Sequence, residues 1–284
     1  MYNIQVSLVA SANRHTLANG FKNWERLINS LKSNTINYEV IFVGDSPCPY
    51  PMPKEFKWIK ATVKPSQCYQ IGFWASKGEL VGWTADDADY IHQGNIDNLD
   101  RAYFAYKRVE EQYKDNKTII AMRPVEGGNP DVQELWHYLF GGCPWSPRMA
   151  PFGLINREFF LNDMKGYPND HISGQTENSV VMSAYQLGGR VIFQKDAWVV
   201  VHHHHVHPRN NQGKEINYFR DWYPDDRKAL ENRWVKEGYG NYEKLTTEQL
   251  QNVVHISKTP LVPITPFVNS DDVCSVTQGP KGKW

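Results

Sequence analysis

The sequence predicts an α/β protein, with a mostly parallel sheet flanked by helices and a helical, then extended, C-terminal appendage. Three observations predict it. Apolar strand-like runs alternate with amphipathic helical stretches as far as Met122. Several of those runs stop abruptly in polar or charged residues, as at Ser11-Ala12-Asn13-Arg14, Gly44-Asp45 and Asp86-Asp87-Ala88-Asp89. Beyond Asp225 two helical stretches precede a tail with Pro260, Pro263, Pro266 and Pro280, which cannot continue a helix.

The elements follow in order. Residues 4–10 are apolar and β-branched, a strand. Over 16–33, Leu17, Phe21, Trp24, Leu27, Ile28 and Leu31 recur at helical spacing on one face. Tyr38–Gly44 is a second buried strand and Trp58–Val63 a third. Residues 66–77 read as a helix with Ser66 as N-cap and Gly78 as its stop. Leu80–Ala85 is the fourth strand. A long helix spans about 95–114, carrying Ile96, Leu99, Tyr103, Tyr106 and Val109, and Lys117–Met122 is another strand.

The second half is less regular. Residues 123–151 are rich in glycine and proline and read as loop. Helices are expected at 156–163 and 176–187, and strands at 190–194 and 197–202. Residues 208–224 read as loop, with helices at Asp225–Lys236 and Thr246–Val254. No repeat or low-complexity linker interrupts the chain, which reads as one domain with an appended C-terminal region.

Composition narrows the functions. Lys and Arg total 31, as do Asp and Glu, so the formal net charge is zero, which argues against a broad nucleic-acid footprint. The four cysteines form no CxxC pair and are expected to be free thiols in a reducing compartment. The N-terminus runs straight into Ile4-Gln5-Val6 with no basic leader, and no run reaches the ~18 apolar residues of a membrane span. A cytoplasmic protein is expected. Ten Trp and fifteen Tyr can fill a core or build platforms for sugars and bases.

Asp86, Asp87 and Asp89 close the fourth strand. Carboxylates crowded at the end of a buried strand repel one another and lose hydration unless a cation sits among them. A divalent hard cation that prefers oxygen ligands fits, although a loop with Asp86 capping the next element gives the same pattern. Ligands of parallel α/β sheets lie beyond the carboxyl ends of the strands, where Arg14, Asp45 and this cluster fall. The run His202-His203-His204-His205, with His207, follows the strand residues Val199–Val201. One of these histidines can complete the coordination of a Mn2+-like ion. A separate zinc site is the rival, but adjacent residues on a strand point to opposite faces. Glu177 lies in the first turn of a helix, after the polar run Gly166–Thr176. An acid there is favoured by the helix dipole and can also serve as a general base.

Taken in order, the strand 4–10, Gly44-Asp45, Gly78-Glu79 before the acid cluster, Gly166-Tyr167 with Asp170, and Glu177 before a helix ending in Gly188-Gly189 resemble the GT-A glycosyltransferases, closest to the inverting family 2 type. The resemblance covers roughly residues 3–205. It implies a Rossmann-like catalytic domain at 1–207, with a nucleotide-sugar half at 1–122 and an acceptor half at 123–207, and an extension at 208–284 packed on it. It implies that Ala10, Asn13, Arg14, Asp45, Gln70 and Asp86 meet the donor. Asp87 and Asp89, with His202 or His204, would hold Mn2+ or Mg2+. The family's Glu-Asp pair reads Glu177-Asn178 here, which leaves Glu177 first and Asp170 second as the base.

The implied activity is metal-dependent transfer of a sugar from a nucleotide-diphosphate donor to an acceptor hydroxyl, with inversion. The cation neutralises the leaving diphosphate and the carboxylate activates the acceptor. A glycan is the expected acceptor, and a hydroxymethylated base in phage-type DNA is the alternative. Trp145, Arg148, Tyr218 and Trp222 suit either. A nucleotidyltransferase would show a glycine-rich loop after the first strand, which Ser11–His15 lacks. A glycan-binding protein without catalysis is the non-enzymatic reading. The tail around Lys281, with Lys283 and Trp284, is expected either to fold over the cleft onto a substrate phosphate or to fray.

Overall fold

The computed structural model describes residues 3–12, 20–44, 52–126, 150–174, 176–202 and 223–234. Its centre is an eight-stranded sheet in the order β3-β2-β1-β4-β7-β6-β8-β5. The strands are β1 Val6–Ser11, β2 Tyr38–Gly44, β3 Phe56–Lys60, β4 Leu80–Ala85, β5 Ala88–Asp89, β6 Thr118–Glu126, β7 Gly153–Asn156 and β8 Arg190–Val201. β1 pairs in parallel with β2 and β4, β2 with β3, and β6 with β8. β7 runs antiparallel between β4 and β6, and β5 antiparallel on the edge of β8. The sheet is mixed with a parallel majority, as the alternation of runs predicts.

Helices cover both faces. α1 (Gly20–Leu31) and α3 (Asn98–Tyr113) bury Trp24, Leu27, Ile28, Leu31, Leu99, Tyr103, Tyr106 and Val109 against Val6, Leu8, Val40 and Phe42. Trp24 stacks on Phe42 with ring centroids 4.5 Å apart. The opposite face is covered by α2 (Pro65–Ala75), a π-turn at Phe159–Asp163 and α4 (Thr176–Gln186), which share a core with Val9, Ile41, Val81 and Trp83. Leu230 of α5 (Tyr223–Trp234) joins that core, so this part of the predicted appendage packs on the main body.

Several sequence expectations need correction. Ser66 is not the N-cap of α2. Lys64 holds that place with Pro65 at the first helical position, and the Ser66 hydroxyl donates to the His171 carbonyl, 2.5 Å away. Gly78 does not end that helix. A side chain there would meet Ser7 N at 2.6 Å, so glycine answers a close approach of backbones. Strand β7 falls between the loop expected to Pro151 and the helix expected from Asn156, where the sequence shows no element, because a short buried strand shows no alternation. Its Gly153 has the Trp83 ring where a Cβ would sit, 2.3 Å away. Arg123–Glu126 extends β6 instead of opening a loop.

The two strands read at 190–194 and 197–202 are one strand with a bulge. Met122 pairs with Gln194 and Arg123 with Trp198, so residues 195–197 fall out of the ladder. Helix 246–254 and the proline-rich tail lie outside the described residues. Cys68, on the buried face of α2, is a free thiol. Among the described residues no helix is long and apolar enough to cross a membrane.

Candidate functional site

The chain's acidic strand end and its histidine strand end meet. β4 ends at Ala85, Asp86 and Asp87 form a turn, and Ala88-Asp89 returns as β5 against β8. Ala88 lies opposite Val201 and Asp89 opposite Val200. His202 continues from β8 and donates its backbone N–H to the Asp87 carbonyl at 3.3 Å. Asp89 Oδ2 lies 3.6 Å from His202 Nε2, while Asp89 Oδ1 accepts the Ile91 N–H at 2.8 Å. Asp86 and Asp87 are buried in the turn.

The electrostatics favour a neutral His202. Burial holds its pKa below the usual imidazole value and the Arg26 guanidinium adds to this, while Asp89 and Asp87 pull the other way. Its Nε2 is buried without a hydrogen-bond partner among the described residues. A neutral imidazole nitrogen beside a carboxylate is a donor set that Mn2+ accepts, so Asp89 and His202 fit two places in a coordination shell. Among the described residues no group of three His, Cys, Asp or Glu is arranged to hold a metal. The remaining donors must come from elsewhere, as they do when substrate phosphates complete the shell. His204 lies outside the described residues.

The candidate bases lie at the head of α4 and in the loop before it. α4 leads into β8 and packs against β6 and β8. Glu177 is in the first turn of α4 and accepts a hydrogen bond from Thr176 Oγ1 at 3.2 Å. Burial raises the Glu177 carboxyl above its ordinary value. The Glu177 N–H and Thr176 bonds oppose this, and the charge of Asp226 adds to the rise. Asp170 is 44% exposed and its Oδ1 lies 2.8 Å from Nδ1 of the fully buried His171, whose Nε2 faces Ser179 Oγ at 3.3 Å. The segment between the two acids is held from α5. Asp226 accepts the N–H groups of Ile172, Ser173 and Gly174 at 2.5, 3.1 and 2.7 Å.

The donor-side expectations divide. Ala10 is fully buried, and its side chain belongs to the α1–α3 core, so only its backbone can face a ligand. Gln70 Oε1 accepts the Tyr167 N–H at 2.7 Å and lies where a side chain on Gly166 (φ +75°) would sit. What Gln70 holds in this structure is the Gly166–Tyr167 turn. Asn13, Arg14, Asp45 and Lys281 lie outside the described residues, as do Trp145, Arg148, Tyr218 and Trp222.

Four residues near the site escaped the sequence reading. Asp226 looks like any acid in a first helical turn. His171 looks like a polar loop residue. Arg123 follows the expected end of a strand at Met122 that in the structure runs on to Glu126, and Trp198 lies in the second of two expected strands that are one. Arg123 is the charge that closes the apolar run ending at Met122, so the rule that found Asp86–Asp89 could have found it.

No protein-family model matches the sequence, and no curated protein matches it. Solved structures do match. The chain aligns over 88% of its length with 70% of S. aureus TarS 1-349 in complex with UDP-GlcNAc, at 14% identity and a TM-score of 0.61. It aligns over 90% of its length with 55% of GalNAc-T7 with UDP, GalNAc and Mn2+, at 14% identity and a TM-score of 0.55. These neighbours are GT-A glycosyltransferases, and the described sheet with its flanking helices has that fold.

Proposed function

We propose that this chain is a glycosyltransferase that moves a sugar from a nucleotide-diphosphate donor to an acceptor hydroxyl, with inversion and with help from a divalent cation. The observation that carries the reading is the meeting of Asp89 with His202 at the edge of the sheet. The solved neighbours support the donor class, since their structures hold UDP-GlcNAc in one case and UDP, GalNAc and Mn2+ in the other.

Asp89 and His202 would hold the cation, with Asp87 behind them in the turn. When bound, the ion supplies positive charge against a leaving diphosphate. Glu177 takes the proton of the acceptor hydroxyl. Its raised pKa keeps it a stronger base than an exposed carboxylate, which suits general-base work near neutrality. Thr176 and its own N–H orient the carboxylate. Asp170 is the second choice, because its pairing with His171 already gives it a structural task. The donor nucleotide is assigned to the strand ends around Ala10 and Asp86, together with Asn13, Arg14 and Asp45. A glycan hydroxyl in the cytoplasm is the proposed acceptor.

Hydrolysis of a panel of UDP- and GDP-sugars with Mn2+, followed by free-nucleotide release, tests this. Release from one donor class that stops in excess chelator is the expected result. No release and no binding of any nucleotide diphosphate would overturn the reading.

A further inference from the structure

The β6–β8 ladder carries a positive charge that the described structure leaves without a counter-charge. Arg123 lies opposite Trp198 in the register, and its guanidinium rests over the indole, 4.0 Å from the ring centroid. His92 packs on the same indole with centroids 4.6 Å apart. It is held there by a tight turn, in which His92 and Asn95 exchange backbone hydrogen bonds and Gln93 and Gly94 take positive φ. Val125, Trp198 and Val200 form the apolar pad beneath.

Arg123 forms no ion pair or hydrogen bond with any described residue. Its Nε and His92 Nε2 are both buried without a hydrogen-bond partner among the described residues. A half-buried guanidinium loses hydration, and one without an acceptor among the described residues gains from an external anion. Stacking on Trp198 fixes its plane and leaves its edge for the bidentate partner that arginine suits best, a phosphate or carboxylate. The place is also telling. Val200 pairs with both Val125 and Asp89, so Trp198 and Arg123 stand two residues, about 7 Å, along the strands from the Asp89 row.

We propose that Arg123, Trp198 and His92 form an anion-binding shelf that receives a phosphate or carboxylate group of a substrate beside the Asp89–His202 pair. The two sources of that group, the donor diphosphate or an acidic acceptor, follow from the glycosyltransferase reading on which the inference rests. The affinity of the shelf for an anion does not depend on it.

Calorimetric titration of the full chain separates the cases. The probes are UDP and uridine with Mn2+, and inorganic phosphate alone and after saturation with UDP. The proteins are wild type, Arg123→Gln and Arg123→Lys, with melting temperatures to show that each is folded. If the shelf holds the donor diphosphate, Arg123→Gln weakens UDP by ~10–100-fold and leaves uridine unchanged, the effect expected for loss of a charged hydrogen bond. If it holds an acceptor group, UDP is unaffected. Inorganic phosphate then binds the UDP-saturated wild type and not Arg123→Gln. Arg123→Lys falls between in either case, because the ammonium keeps the charge without the planar edge, and it decides the matter by the same criteria should Arg123→Gln not fold. Unchanged UDP and phosphate binding in the substituted proteins, or a wild type that binds neither, overturns the shelf. A wild type that binds phosphate through Arg123 but neither binds nor hydrolyses nucleotide sugars overturns the glycosyltransferase reading alone.

Discussion

The carboxylate of Asp226 accepts the backbone N–H of Ile172 at 2.5 Å across a separation of 54 residues, and with Ser173 and Gly174 it forms a three-bond clamp. Asp226 comes from α5, and the clamped loop leads directly into the helix carrying Glu177. Part of the C-terminal region is therefore structural support for the candidate base. Asp226→Ala leaves three amides without their acceptor, each costing roughly 1–3 kcal/mol where it stays buried. A lower melting temperature and lower turnover are expected. Asp226→Asn keeps the shape and one acceptor oxygen but removes the charge that helps raise Glu177. The acid limb of its pH–rate profile should move to lower pH, which loss of packing alone would not produce.

Glu177→Gln should separate activity from stability. Glu177 has its folded pKa raised, so its protonated form favours the fold, and that contribution is lost as pH climbs from the ordinary carboxylate range through the folded value. A neutral glutamine escapes this loss. Melting at pH 8 should be equal to or higher than wild type, while turnover falls by ~10²–10⁴-fold, the usual worth of a general base. Unchanged turnover would remove Glu177 from the chemistry and leave Asp170 to be tested by Asp170→Asn.

Asp89→Asn and His202→Ala should each raise the Mn2+ concentration needed for half-maximal activity, by at least the ~10–100-fold that changes behind a metal ligand cost. The melting temperature in chelator should move little, because the pair lies at the sheet edge and Asp89 forms no described ion pair other than with His202. Activity titrated against Mn2+ alongside melting in chelator checks both. A thermal collapse with unaltered metal dependence would assign the pair to the fold instead.

The other end of the sheet should control acid stability. Glu39 is buried, accepts hydrogen bonds from Ser7 Oγ and Lys77 N–H at 2.7 Å each, and pairs with Lys57. Burial works to raise its pKa, but the Lys57, Ser7 and Lys77 bonds outweigh it and hold the carboxyl below its usual value. With the folded pKa depressed, this stability is present above the unfolded value and lost as pH falls through the folded one. Glu39→Gln should therefore lose stability at pH 7 and flatten the acid side of the stability–pH curve. Turnover per folded molecule should be unchanged, since the network sits at the ends of β1 and β2 opposite the site. Chemical denaturation between pH 3 and 7 measures both.

What the sequence disclosed followed from local chemistry. The parallel strands β1, β2 and β4 and the faces of α1 and α3 were legible because apolar residues recur at a clear period, as in Trp24, Leu27, Ile28 and Leu31. The Asp86–Asp89 cluster was legible because carboxylates at a strand end demand a reason. Strand β7 was not, because Gly153–Asn156 is buried on both sides and too short to show a period. The clamp by Asp226 was not, because nothing in Tyr223–Trp234 records where its first turn will dock. The role of Gln70 under Gly166 and the stacking of Arg123 on Trp198 are likewise products of tertiary approach, invisible in either segment alone.

The bulge in β8 sets the phase of everything after it. Before it, Val191 lies opposite Ile119, odd number against odd; after it, Trp198 lies opposite Arg123, even against odd. The skipped residues 195–197 thus exchange the two faces of the strand. Val199 and Val201 turn toward the α1–α3 core, and Val200 turns to the side of Asp89 and Arg123. A deletion of one residue within 195–197 would reverse this. It would turn the Trp198, Val200 and His202 series toward the α1–α3 core and Val199 and Val201 toward the side of Asp89 and Arg123, with every residue type in the strand end unaltered. The polar interruption Lys195-Asp196 therefore acts as a frame marker, and its length matters more to the site than its side chains do.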